Sequence, residues 1–153
     1  MSTTDTGSLR AEPRLDPRGA RFSAAVTTVV LALVLLSGNG WLALAQAVVF
    51  AVGSIAGMAF APYGVVFRKV LAPRLAPPAE REDAAPVRFS QTVGLVFTAV
   101  AAIGYLTGLS TLGLVATALA LAAAFLNAAF GFCLGCEMYG LLARVRSTRT
   151  AGA

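Results

Sequence analysis

The segment GFCLGCEMYGLLARVR, residues 131–146, holds both cysteines of the chain, Cys133 and Cys136, followed at once by Glu137. Two thiols at this spacing can give up two electrons and two protons to form a disulfide, or accept sulfane sulfur as a persulfide. Either reaction runs through a thiolate, and a neighbouring carboxylate is a natural proton partner. Cys133 and Cys136 are therefore the candidate redox pair, and Glu137 the candidate proton partner. A metal site is poorly matched. The chain has no histidine, and two thiolates alone do not complete tetrahedral zinc. Two-coordinate copper(I), or a site shared across a dimer, would be required, so no metal is assigned. A single cysteine commonly packs as a small hydrophobe. Two in one CxxC, where an apolar run meets arginines, favour a functional reading.

The elements that must position this pair are apolar. Of 153 residues, 58% are hydrophobic and only 12% charged, about half the share in a soluble domain. Mean hydropathy is +0.78. The composition predicts an all-α, polytopic membrane protein. Runs of about 20 apolar residues mark four spans. The first follows Asp16 as N-cap and Pro17 at the first helical position, and ends near Leu36 before SGNG. The second runs from Trp41 to about Phe60, where Pro62 interrupts it. The third runs from about Arg88 to Leu106. The fourth starts after Ser110 and continues through the cysteines to about Leu142.

These spans divide the chain into a disordered tail (1–15), a first hairpin (16–71), a solvated Pro- and charge-rich linker (72–87), a second hairpin (88–146) and a tail (147–153). The hairpins look duplicated. Arg21-Phe22-Ser23 opens one and Arg88-Phe89-Ser90 the other, while YGVVFRK from Tyr63 and YGLLARV from Tyr139 close them. Two crossings per unit make the copies parallel. The closing motifs pair Cys133 with Gly57 and Cys136 with Phe60, so one hairpin is built without thiols at these positions.

Charge placement predicts orientation. The turns SGNG and TGLST are uncharged, and all twelve basic residues lie in the two tails, the linker and the adjoining helix ends. The positive-inside rule then places both termini and the linker in the cytoplasm of a cell whose inner or plasma membrane holds the protein. LALAQA, from Leu42, resembles a signal-cleavage site, but an apolar span follows it. No groove-tracking basic stripe suggests nucleic acid. No buried charge inside a span suggests ion transport. Asn127 reads as helix–helix glue, and Asn127, Gly131 and Gly135 as a small-residue packing face of one continuous helix. On that helix the thiols lie near the C-terminal end beside Glu137, a setting that disfavours thiolate unless Arg68, Lys69, Arg144 and Arg146 converge on it.

DPRGxRF from Asp16, the central RFSQxVG and NAAFGFCLGCEMY together resemble a bacterial integral-membrane family known as domain of unknown function 4395. The resemblance spans about Asp16 to Arg144, and the FGFCxGCE segment is its most specific part. Members often occur near thioredoxin-like proteins and sulfurtransferases, which implies a thiol or sulfane-sulfur role. Three functions follow as expectations: a thiol-redox or sulfur relay with a cytosolic thioredoxin-like or sulfurtransferase partner; a non-enzymatic membrane anchor; and a small transporter of a sulfur species or soft metal, working as a homo-oligomer. A membrane quinone enters as a second redox partner only by analogy with four-helix thiol oxidases.

Overall fold

The computed structural model describes residues 14–152, and the chain in it is helical, with no strand among the described residues. Six α-helices follow in order: α1 (Pro17–Ser37), α2 (Gly40–Ala51), α3 (Pro62–Val66), α4 (Ala84–Leu106), α5 (Ser110–Phe130) and α6 (Leu134–Ala151). A π-helical turn, Val52–Ala56, prolongs α2, and a second, Phe67–Leu71, prolongs α3.

Local chemistry sets the boundaries. Asp16 caps α1, its Oδ1 accepting from the Arg18 N–H at 2.9 Å, with Pro17 at the first helical position. The Arg18 side chain also donates to Asp16, which holds that carboxyl below the usual carboxylate range. Gly38, at φ 63°, ends α1, and Asn39 Oδ1 starts α2 by accepting from the Trp41 and Leu42 N–H groups. Asp16→Ala should cost about 1 kcal/mol, as lost caps do. A carboxyl with a lowered pKa stabilises the fold above its unfolded value and loses that effect as pH falls through its folded value. The difference in detergent-solubilised melting temperature between wild type and Asp16→Ala should therefore be full at neutral pH and vanish in acid. An unchanged gap at low pH would remove the carboxylate from the cap.

The helices form two antiparallel pairs. Gly40 lies against Leu106 and Gly53 against Gln91, so α2 runs opposite to α4. Arg21 reaches the end of α5, so α1 runs opposite to α5. α4 and α5 meet at their shared turn, where a Cβ on Gly104 would come within 2.5 Å of the Gly113 nitrogen. The tight core sits at this end: Val34, Ala43, Ala101, Ala102 and Ala116 are buried together. Small side chains let the backbones approach closely. Two threonines buried within the bundle, Thr98 and Thr117, donate to the carbonyls of Gly94 and Gly113, each at 2.7 Å, which satisfies both hydroxyls inside their own helices. At the opposite end, the charged end, the helices diverge. α3 fills part of the gap there, with Phe67 buried against Gly19 and the Tyr63 hydroxyl donating to Gln46 on α2 at 2.7 Å. The outer surface is apolar, with Leu36 85% and Trp41 68% exposed.

Several boundaries differ from expectation. Three helices, Pro17–Ser37, Ala84–Leu106 and Ser110–Phe130, are long and apolar enough to cross a membrane. The second expected span is shorter, a 17-residue apolar helix (Gly40–Ala56) that stops at Gly57, whose φ is 105°. The expected fourth span does not continue to Leu142. It breaks at Gly131, whose left-handed φ of 69° caps the helix: the Gly131 N–H donates to Asn127 O and the Phe132 N–H to Leu126 O. The linker is shorter than 72–87, because Ala84 begins α4 and both Ala84 and Val87 are buried. Pro86 is tolerated in that first turn, where its missing N–H has no helical acceptor to lose. Nor is the linker free. Leu15 and Glu82 exchange backbone hydrogen bonds of 2.7 and 2.8 Å. Of the two expected tails, residues 1–13 and 153 lie outside the described residues, while 147–151 are helical.

Candidate functional site

Breaking the chain at Gly131 changes the setting of the thiols. Cys133 has extended backbone, φ −89° and ψ 102°, and is the N-cap of α6. Its Sγ accepts from the Cys136 N–H at 3.2 Å, and its carbonyl accepts from the Glu137 N–H at 3.0 Å. The two residues, with Cα atoms 5.2 Å apart, are joined as a disulfide. Both are half-buried. The expectation of a C-terminal helical setting is thus overturned. Helix N-termini present unpaired N–H groups and a positive dipole end, and both favour sulfur as thiolate once the disulfide is reduced.

α6 is held by two contacts. Gly135 is buried against Ser90, where a side chain would overlap α4, and the Tyr139 ring lies 5.8 Å from that of Phe89. The expected packing face Asn127–Gly131–Gly135 does not exist as one face, since the break separates its members; only Gly135 serves in close packing. Glu137 is exposed, in the first turn of α6, and its carboxylate has no partner among the described residues. Arg144 and Arg146 lie farther along α6, on its exposed second half. They are not brought to the N-cap.

The cation that does reach this region is Arg21. Its Nη2 donates to the carbonyls of Ala128 and Ala129, at 3.3 and 3.5 Å, just before the break. Arg88 does the same at the other break: Nε donates to Ser54 O at 2.7 Å and Nη2 to Ile55 O at 3.2 Å. Each arginine supplies donors to helix-end carbonyls that would otherwise be orphaned. In the sequence both read only as basic residues at helix ends that bear on orientation. The available signal is that each opens an RFS motif.

The disulfide lines a cavity of about 1230 Å³ at the diverging end of the bundle. Its walls come from α1, α2, α3, α4, α5 and the linker, reaching Thr27, Phe50, Phe97 and Ala120. Ala120 lies ten residues before Phe130, about 15 Å along the helix. Gln91 and Asn127 bring side-chain amides to the same space, and neither amide has a partner among the described residues. Asn127 therefore lines the cavity rather than joining helices. No group of three or more potential metal ligands occurs among the described residues.

Fold and site together define an all-helical bundle protein, membrane-compatible in its three long apolar helices, with a short-range disulfide at a helix N-cap. The chain belongs to the family described as Domain of unknown function (DUF4395), whose model matches residues 15–144. Comparisons with curated proteins and with solved structures returned no match.

Proposed function

We propose that this protein is a membrane thiol–disulfide relay in which Cys133 and Cys136 exchange electrons with a cytosolic thioredoxin-like protein. The observation that carries the reading is the N-cap position of Cys133, half-buried and hydrogen-bonded to the Cys136 N–H. The partner's thiolate attacks Cys133 Sγ in the disulfide, and Cys136 leaves as thiolate and takes a proton from water, with the exposed Glu137 carboxylate as relay. The partner's second thiolate then attacks the partner sulfur of the mixed disulfide, closing the partner's own disulfide and releasing Cys133 as thiolate. Two electrons move from the partner to the pair, which ends reduced. A sulfurtransferase partner would use the same Cys133 thiolate to accept sulfane sulfur.

The relay is read as cytoplasmic. No charged residue occurs from 22 to 67 or from 89 to 136, so the charges of the described residues gather at the end of the bundle that carries the disulfide. With Gly40–Ala56 as a fourth, shorter crossing of about 25 Å, the termini and linker share that side. The matching contacts of Arg21 and Arg88, and the breaks at Gly57 and Gly131, support two parallel hairpins. The breaks pair Gly57 with Gly131 rather than with Cys133. Reporter fusions at Arg81 and at the C-terminus should behave as cytoplasmic, and one at Asn39 as extracytoplasmic. A C-terminus found outside reverses the orientation.

The relay itself is tested by alkylation in open membranes. Both thiols should be labelled after reduction, neither after mild oxidant, and both again once a thioredoxin system is added. Cys133→Ser, Cys136→Ser should abolish this cycle at a folding cost of about 1 kcal/mol or less, because serine is itself a favoured N-cap. Cysteines that never cycle leave the protein as a membrane anchor.

A further inference from the structure

A disulfide formed on the reducing side of a membrane needs somewhere to send two electrons, and the cavity below Cys133 and Cys136 has the chemistry of a place to receive them. Its lining carries four arginines (Arg14, Arg21, Arg68 and Arg81) and four acids (Asp16, Glu82, Asp83 and Glu137), so it has no net charge to select an anion or a cation. Most of these groups are engaged already. Arg14 pairs with Asp83, Asp16 with Arg18, Arg21 with the end of α5, and Arg68 with the carbonyls of Met58 and Ala59. Below this rim the walls are Val49, Phe50, Val93, Phe97, Ala123 and Ala124, all uncharged and apolar. The volume, about 1230 Å³, exceeds the roughly 300–1,000 Å³ usual for small-molecule pockets, as a ligand with a long apolar tail requires. Between rim and floor stand the Gln91 and Asn127 amides. They are half-buried, without hydrogen-bond partners among the described residues, and on the same cavity as both sulfurs.

A neutral ring carrying two carbonyl oxygens and an apolar tail fits that gradient. We infer that the cavity is a binding site for a lipid-soluble quinone, which oxidises the reduced Cys133–Cys136 pair. The amides of Gln91 and Asn127 donate to the quinone carbonyls, Phe50 and Phe97 offer apolar ring faces, and the tail lies among the alanines of α5. The step balances: two S–H bonds break and one S–S bond forms. The pair loses two electrons and two protons, and the quinone gains them to become the hydroquinone. This inference rests on the relay reading, which supplies the reduced pair.

The test uses the purified full-length protein in detergent, reduced and desalted without oxygen, and decylubiquinone as probe. This quinone is fully ring-substituted, so thiol addition does not mimic oxidation. One quinone should be reduced per chain, read by absorbance, as both thiols disappear into a disulfide, read by mass spectrometry. Ala124→Trp, which fills the cavity floor, should slow quinone reduction at least tenfold while thioredoxin exchange changes less than twofold. Gln91→Leu and Asn127→Leu should raise the quinone concentration needed for half-maximal rate several-fold, and they keep the test open if the tryptophan variant does not fold. Cys133→Ser, Cys136→Ser should still bind decylubiquinone in equilibrium dialysis. No binding by that variant and no oxidation of the wild type by saturating quinone, with thioredoxin exchange intact, overturns the cavity inference and leaves the relay. Quinone binding without any thiol cycling overturns the relay, and with it the electron transfer inferred here.

Discussion

In the reduced protein, Cys133 of a Cys136→Ser variant should react with iodoacetamide at pH 6 about tenfold faster than Cys136 of a Cys133→Ser variant. The direction follows from the N-cap geometry. Thiolate, not thiol, is alkylated, and a free cysteine titrates near about pH 8.5. Cys133 Sγ already accepts the Cys136 N–H at 3.2 Å and stands at the positive end of the 18-residue α6. A donor and a dipole end both favour the anion, so thiolate persists as pH falls below the ordinary range. The Glu137 carboxylate acts in the opposite sense, but it is exposed and screened by water and salt. The advantage in rate is smaller than the gain in thiolate, because a more acidic thiol is a weaker nucleophile. The advantage should shrink as pH rises through about 8.5 and reverse once both sulfurs are ionised, because the more acidic thiolate is then the weaker nucleophile. Equal rates at pH 6, or a faster Cys136, would mean that the N-cap does not select the nucleophile.

Gly135→Ala and Gly140→Ala should have opposite effects, although both replace a glycine of α6 with the same residue. Alanine is the better helix former by about 1 kcal/mol at either position. At Gly140 nothing lies within 4 Å of the added Cβ, so that gain should appear as a slightly higher melting temperature. At Gly135 the added Cβ would overlap the Cβ and Cα of Ser90, which belong to the first turns of α4. Overpacking of this kind typically costs about 1–3 kcal/mol. It should lift α6 from α4, lower the melting temperature, and slow thiol exchange by moving the N-cap away from the cavity. Comparing the two variants cancels the propensity term and isolates the contact. Indistinguishable variants would mean that α6 is not docked through Gly135.

The limits of sequence reading are clearest at the two helix breaks. An apolar run from Ser110 to Cys136 has no charge to stop it, and hydropathy alone extends it into one long span. The local signals were present: Gly131 offers the left-handed conformation that ends a helix, and Cys133 lies where a cap belongs. Cysteine is not a usual cap, so the pattern reads as one continuous helix, and the polarity of the thiol setting comes out reversed. Gly57 presents the same case one hairpin earlier, where Phe60 was taken as the end of the span. The partners of Arg21 were hidden for another reason. Its acceptors are backbone carbonyls 107 and 108 residues away, and a carbonyl has no letter in a sequence.

What the sequence determines by itself is whatever depends on local chemistry summed along the chain. It specifies the all-helical class, through unbroken apolar runs. It specifies the cap at Asp16 and the turn at Gly38 and Asn39, through the donors and acceptors of neighbouring residues. It also specifies where charge is absent, in two stretches of more than forty residues, and so which ends of the helices carry it among the described residues. Tertiary structure decides what depends on the distances between those runs. Alanine and glycine faces close the bundle at the uncharged end, and the divergence of the same helices at the other end opens the cavity. The space at Gly135 is filled by Ser90 of α4, and the sulfur of Cys133 sits at the N-cap of the helix docked by that contact. Side-chain type fixes which groups can react; the free energy of packing, which is non-local, fixes which of them meet.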